Sequence, residues 1–279
     1  MSAALMVIIV LLGGIVAGGI GSITGLGGGM VIVPLLTLGF HLPMPEAVGV
    51  SLFSIIATST GAAPRFVGTG MNNVRAGLFL QMAASSGALL GAYAAHFLPT
   101  HVLFIVFGVV LLLSGTMSFK STHSDETGAQ TSSALALKLR LDSKYEQAGE
   151  WIPYHVTRVL PGFAVMVGAG FLSALLGIGS GAFKVLAMDK LMKMPFRVST
   201  ATSNFMIGMT AATSAGFYLT HGDTSPLLAG TVVLGVLIGS YAGARSLATL
   251  RVKTLRYVFT VVMILVALQM LFKGLGLPL

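Results

Sequence analysis

The chain has 279 residues, 55% of them apolar and only 9% charged, with 16 Lys and Arg against 8 Asp and Glu and a mean hydropathy of +0.92. A soluble globule carries roughly 25% charged residues to cover its surface, so this composition excludes one. The lack of cysteine excludes disulfides, thiol catalysis and cysteine-ligated metals, and the cations cluster at the ends of apolar segments, as a membrane's inner face requires and nucleic acid does not.

In chain order, helical segments are expected at 3–24, 30–40, 45–65, 74–96 and 101–119. The first lacks a basic leader and reads as a membrane helix rather than a cleaved signal. The second follows the cluster Gly25-Leu26-Gly27-Gly28-Gly29 and is short. At 1.5 Å per residue it reaches about 16 Å, half of the hydrocarbon core. A chain that enters the membrane there must break and turn back.

Residues 120–158 differ in character. Ser121 to Ser133 is polar and reads as a loop, after which Leu135, Leu137, Leu139 and Leu141 alternate with Ala136, Lys138 and Arg140. That is strand spacing, and with Trp151, Ile152, Tyr154 and Val156 it suggests a small β-hairpin on the cytoplasmic side. An amphipathic interfacial segment is the alternative for the same stretch.

Five further helical segments are expected at 156–176, 182–192, 197–219, 225–247 and 252–273. The cluster Gly177-Ile178-Gly179-Ser180-Gly181 stands before the second of these, which is again short. Gly177 lies 152 positions after Gly25, and that offset also pairs Pro43 with Pro195, Ser51 with Ser203, Phe107 with Phe259 and Val109 with Val261. The text from Gly87 to Ala94 instead resembles Gly235 to Ala242, at an offset of 148. Ordered anchors over such a length indicate an internal repeat.

Charge assigns orientation. Arg65 and Arg75 flank the loop between the third and fourth segments, and Pro99 to His101 carries no Lys or Arg. In the second half the pattern reverses. Lys190, Lys193 and Arg197 precede its third segment, Arg245, Arg251, Lys253 and Arg256 follow its fourth, and the intervening loop carries only Asp223. Opposite insertion of the halves places 14 of the 16 cations inside, with Lys273 outside and Lys184 within the membrane. The expected fold is thus an all-α polytopic membrane protein of two inverted repeats. Each repeat has five helical segments including a Gly-broken half-helix, and a small cytoplasmic hairpin separates them. The units are 1–119, 120–158 and 159–279, with both termini outside the cell membrane.

Inverted repeats with broken helices place a substrate site at the repeat interface near the midplane. A helix that begins inside the membrane leaves backbone N–H groups unsatisfied at its positive end, and glycine lets an anion approach them. Candidate contacts are Gly25, Gly27, Gly28, Gly29 and Met30 in the first half and Gly177, Gly179, Ser180 and Gly181 in the second. The glycines could also serve close helix packing alone. Lys184 lies in the second short helix where the first half has Ile32. A cation inside a membrane helix is costly and usually functional. Pairing with Asp189 or snorkelling to the inner rim would be its structural roles. Ser51, Ser203 and Asn204 can add hydroxyl and amide donors, although serine back-bonding within a helix competes.

The two glycine motifs, Pro34, and the stretches Ala47 to Leu52 and Ala201 to Asn204 resemble the TauE/SafE family of sulfite exporters and organosulfur anion transporters. The resemblance covers nearly the whole chain outside 120–158 and is strongest over Leu176 to Asp189 and Thr202 to Thr210. It implies two related halves and movement of sulfite, sulfoacetate or other sulfonates. Departures are Ser180 for a glycine, Leu186 opposite Pro34, and Val50 for the threonine common before the serine.

The function expected is secondary transport, by export, of a small sulfur-containing anion through alternating access. A passive anion channel could use the same site. An enzyme is not expected, because no nucleophile–base constellation occurs. No cofactor or metal is expected either, since His41, His96, His101, His123, His155 and His221 lie at ends or in loops without ligand spacing. Asp189 suits a rim salt bridge with a nearby lysine, and Glu46 suits the dipole at the start of the third segment. The partners expected are the anion and the lipid bilayer, with no nucleic acid. A homodimer is the assembly the sequence leaves open.

Overall fold

A computed structural model of the chain describes residues 3–24, 27–62, 71–120, 131–147, 150–222, 224–246 and 252–276. It is helical, with one two-stranded sheet among the described residues. The helices are α1 (Ala3–Thr24), α2 (Gly29–Pro34), α3 (Met44–Ala62), α4 (Val74–Phe97) and α5 (Thr100–Lys120). The short α6 (Ala134–Lys138) and the strands β1 (Ser143–Gln147) and β2 (Glu150–Tyr154) follow. The chain then continues through α7 (Val159–Leu176), α8 (Gly181–Leu186), α9 (Phe196–Thr220), α10 (Pro226–Ser246) and α11 (Val252–Gly274).

Both short helices change pitch in the same place. A π-helical segment, Leu35–Gly39 after α2 and Ala187–Leu191 after α8, widens the last turns. Pro34 cannot donate a backbone hydrogen bond and would suit such a change, yet Leu186 stands at the matching point of α8. Proline alone therefore does not explain it. Single π turns of this kind recur at functional sites.

Among the described residues four helices, α1, α4, α7 and α10, are long and apolar enough to cross a membrane by length and composition. Their outward faces carry Leu12 and Val16 on α1, Leu89 and Leu90 on α4, Leu160 on α7 and Leu234 on α10, all exposed. Such a surface suits hydrocarbon and not water. These four helices pack in two pairs, α1 along α10 and α4 along α7, while α3 packs on α9 and α5 on α11. Backbones meet directly within the pairs. A Cβ at Gly239 would overlap the Ile15 carbonyl, and one at Gly87 would overlap the Val167 carbonyl. Gly243 against Gly19 is likewise matched by Gly91 against Phe171. Every residue of one contact lies 152 positions from its counterpart in the other. The recurrence thus keeps the glycine-motif offset, and the 148-residue match of Gly87–Ala94 to Gly235–Ala242 is one helical turn out of step with it.

The insert departs from expectation at its first strand. Residues 134–138 form α6, because Ser133 caps the helix by accepting from Ala136 N at 3.2 Å and Ala, Leu and Lys all favour helix. The hairpin begins later, with Ser143 opposite Tyr154 and Gln147 opposite Glu150. Asp142 anchors its base. Its carboxylate accepts from Val156 N at 2.9 Å and from Ser132 Oγ, and lies 3.3 Å from His155 Nδ1. The hairpin covers one end of α4, α7 and α9. There Leu141, Tyr154 and Val156 share a core with Ala76, Leu80, Met166, Met188, Met192, Met194 and Met206. Asn73 pins it: Nδ2 donates to the Leu141 carbonyl (2.7 Å) and Tyr154 OH (2.8 Å), while Oδ1 caps α4 through Ala76 N (3.0 Å).

Candidate functional site

The two glycine breaks meet in the interior. Gly27, Gly177 and Gly179 have φ of +83°, +67° and +78°, a region that side chains rarely enter. Ser180 enters it nonetheless, at φ +44°, where Gly28 of the first half has φ −71°. Its hydroxyl oxygen is buried and has no hydrogen-bond partner among the described residues. A strained, unsatisfied residue at a chain break is a feature that function tends to hold in place.

Helices α3 and α9 seat the breaks. Ser51 Oγ on α3 donates to the Gly177 carbonyl at 2.5 Å. Gly29, the first residue of α2, packs on that same carbonyl so closely that a Cβ would overlap it. Ile55 and Ile207 line Gly27 from the two helices, and Thr58 lines Gly28. On the other side, Ser203 Oγ on α9 donates to the Gly181 carbonyl at 3.3 Å. Asn204 joins α9 to α3 through its backbone, its carbonyl accepting from Ser59 Oγ at 2.6 Å. Met30 is buried in the central core. The structure thus brings together Gly27, Gly28, Gly29, Ser51 and Gly177, and separately Gly181 and Ser203. Gly25 lies outside the described residues.

Lys184 is fully buried, and it is the only charged side chain buried among the described residues. Its backbone N–H is bonded to the Ser180 carbonyl at 3.1 Å, and its Nζ donates to Thr210 Oγ1 at 2.6 Å. Thr210 in turn donates to the Met206 carbonyl at 2.9 Å. Gln81 of α4 completes the group. With its amide turned so that both ends are satisfied, Nε2 donates to Thr210 Oγ1 (3.2 Å) and the Met206 carbonyl (3.1 Å), and Oε1 accepts from Ser85 Oγ (2.7 Å). Neither structural role considered for Lys184 is adopted. Asp189 pairs with Lys190 at 3.3 Å, and the ammonium stays inside rather than reaching a rim.

Thr210 and Gln81 were not among the residues singled out from sequence. Gln81 could have been, since an amide within the apolar run Leu78 to Ala84 of a spanning helix demands a partner. All three members have apolar or uncharged equivalents in the other half at the 152-residue offset, namely Ile32, Thr58 and Val233. The charge belongs to one half alone.

A glycine-seamed helical bundle with an apolar outer surface and, among the described residues, one buried cation is that of a multi-pass membrane protein, and the family to which the chain belongs makes it a membrane transporter. The sulfite exporter TauE/SafE family model matches residues 10–270, and the chain belongs to that family. It is 30% identical to the probable membrane transporter protein YunE of Bacillus subtilis (strain 168), over 96% of this chain and 98% of the relative. It is 28% identical to the probable membrane transporter protein YdhB of the same strain, over 86% of this chain and 89% of the relative. No solved structure matches the chain.

Proposed function

We propose that the protein is a secondary transporter that exports a small sulfur-containing anion, such as sulfite or an organosulfonate, by alternating access around the paired half-helices. The observation that carries this reading is Lys184, a fully buried cation with a neutral hydroxyl as its partner, one turn into α8 from the glycine break. A lone buried charge is expensive, and an anion arriving between the breaks offsets that expense. Family membership supports transport, and the name of the family supports sulfite as the first substrate to try.

Two inverted repeats, 1–119 and 159–279, with the insert 120–158 on the cytoplasmic side, form the frame of this mechanism. Support comes from the exchanged packing of α1 on α10 and α4 on α7, with contacts recurring at one constant offset. Rocking of one pair against the other about the α3–α9 contact would expose the breaks to each side in turn. The glycine seams lie within each pair, where close backbone packing holds its two helices together as one moving body.

Proteoliposomes test the proposal. Sulfite or taurine-like sulfonates should move at a saturable rate and show counterflow, and Lys184→Ala should remove both. Flux that grows without saturation and lacks counterflow would instead fit a passive channel. Transport unaffected by Lys184→Ala would defeat the anion site as drawn.

A further inference from the structure

Resting on the anion-transport reading, we infer that the Lys184–Thr210–Gln81 cluster with Ser180 forms a receptor for one negative charge, so that the transported oxyanion is a monoanion and dianions are rejected. The charge count is the first support. Lys184 is the only buried charged side chain among the described residues, and no carboxylate among them pairs with it. An ammonium has three N–H donors, and one of them is engaged, by Thr210 Oγ1. The remaining two have no acceptor among the described residues.

The donor set around that ammonium is neutral. Ser180 carries a buried hydroxyl without a partner, and its carbonyl is bonded to Lys184 N, so the two side chains rise from one turn. Gln81 holds Thr210 through Nε2 and is itself held by Ser85 Oγ, which fixes the hydroxyl beneath the ammonium. These groups give an oxyanion several hydrogen bonds but only one full opposite charge.

The starts of α2 and α8 add partial dipoles and no second full charge. Gly29 of α2 packs directly on the Gly177 carbonyl, an oxygen that already accepts from Ser51 Oγ. The start of α2 is thus packed against an acceptor oxygen rather than a cation. A dianion at Lys184 would leave one charge uncompensated in a low-dielectric interior, which is strongly disfavoured. Gln81 is then a positioning residue, acting on the anion through Thr210.

Binding to the purified full chain in nanodiscs discriminates. Methanesulfonate and sulfate are probes of similar size that differ in charge. Methanesulfonate should bind at least tenfold more tightly than sulfate, and Lys184→Gln should erase that preference. Gln81→Leu and Thr210→Val keep the charge, so each should weaken methanesulfonate several-fold while leaving the preference intact, whether or not Lys184→Gln folds. Equal or tighter binding of sulfate overturns the monoanion assignment and leaves anion transport standing. Preference retained in Lys184→Gln, or lost in Gln81→Leu, also overturns it. Failure of both probes, together with absent sulfite flux, brings down the transport reading as well.

Discussion

Ser51 and Gly177 stand 126 positions apart, and the Ser51 hydroxyl bonds the Gly177 carbonyl at 2.5 Å. This bond ties α3 of the first half to the break that ends α7 in the second. It also places the break against Gly29, so the two chain interruptions are held as one structure.

Ser51→Ala should therefore leave a buried carbonyl unsatisfied and cost about 1–3 kcal/mol. Ser203→Ala removes a longer bond, 3.3 Å to the Gly181 carbonyl, and should cost less. Thermal unfolding in detergent, run side by side on both variants, gives the comparison. A larger loss for Ser203→Ala would contradict the ranking.

Lys184→Ile installs the residue that the other half carries at Ile32. Replacing buried ion pairs by apolar side chains of fitting shape is often neutral or stabilising by about 1–4 kcal/mol, and Lys184 has no countercharge among the described residues to lose. The variant should melt no lower than the parent and transport nothing. A variant that melts lower would show that the ammonium supports the fold.

Gly239→Val and Gly87→Val should have matched effects, because each drives a side chain into a neighbouring helix backbone, at Ile15 and Val167 respectively. Overpacking typically costs about 1–3 kcal/mol, and a clash with backbone belongs at the upper end. The yield of monodisperse protein should fall similarly for both. Tolerance of one and not the other would break the equivalence of the two seams.

Asn73→Ala removes the cap of α4 and the bonds to Leu141 and Tyr154 together. The summed loss should be about 2–4 kcal/mol, concentrated at the hairpin. Limited proteolysis between residues 131 and 156 should accelerate well before the helices melt. Unchanged cleavage there would mean that the hairpin is held elsewhere.

Two groups of the insert make its stability depend on pH in opposite directions. Burial raises the Asp142 carboxyl, but hydrogen bonds from Ser132, Val156 N and His155, with the charge of His155, outweigh it and hold the group below its ordinary value of 3.8. A depressed carboxylate contributes stability above its unfolded value that is lost as pH falls through the folded one, so the hairpin should loosen below about pH 4 and Asp142→Asn should flatten that response. Burial pushes the Tyr154 phenol up from 10.0 to about 12, against the opposing Asn73 bond. Its contribution is complete below pH 10 and lost as pH climbs through about 12. Ultraviolet titration, with Tyr154→Phe as the blank, reads this ionisation.

Much of the architecture was legible because glycine and charge are punctuation in apolar text. The clusters at 25–29 and 177–181 located both half-helices, and Lys184 stood out by cost alone. The seams misled for a physical reason: Gly87 and Gly91 match Gly235 and Gly239 as readily as Gly239 and Gly243. Helical glycine spacing permits a slip of one turn, which only contacts resolve. The leucine alternation at 135–141 misled because period two also occurs by chance in a short Ala-Leu run, where helix propensity and the Ser133 cap prevail. Gln81 with Thr210 was invisible as a pair because 129 positions separate them.

The hairpin is bonded and packed to α4, α7, α9 and the π segment after α8, and among the described residues it shares no core with α1 or α10. It is therefore bolted to one of the two helix pairs and, in the proposed motion, would travel with it. A fluorophore on exposed Trp151, read against one at the far end of α10, would make the hairpin a pointer on a dial. Each turnover would register as a swing in distance, without a single change inside the membrane.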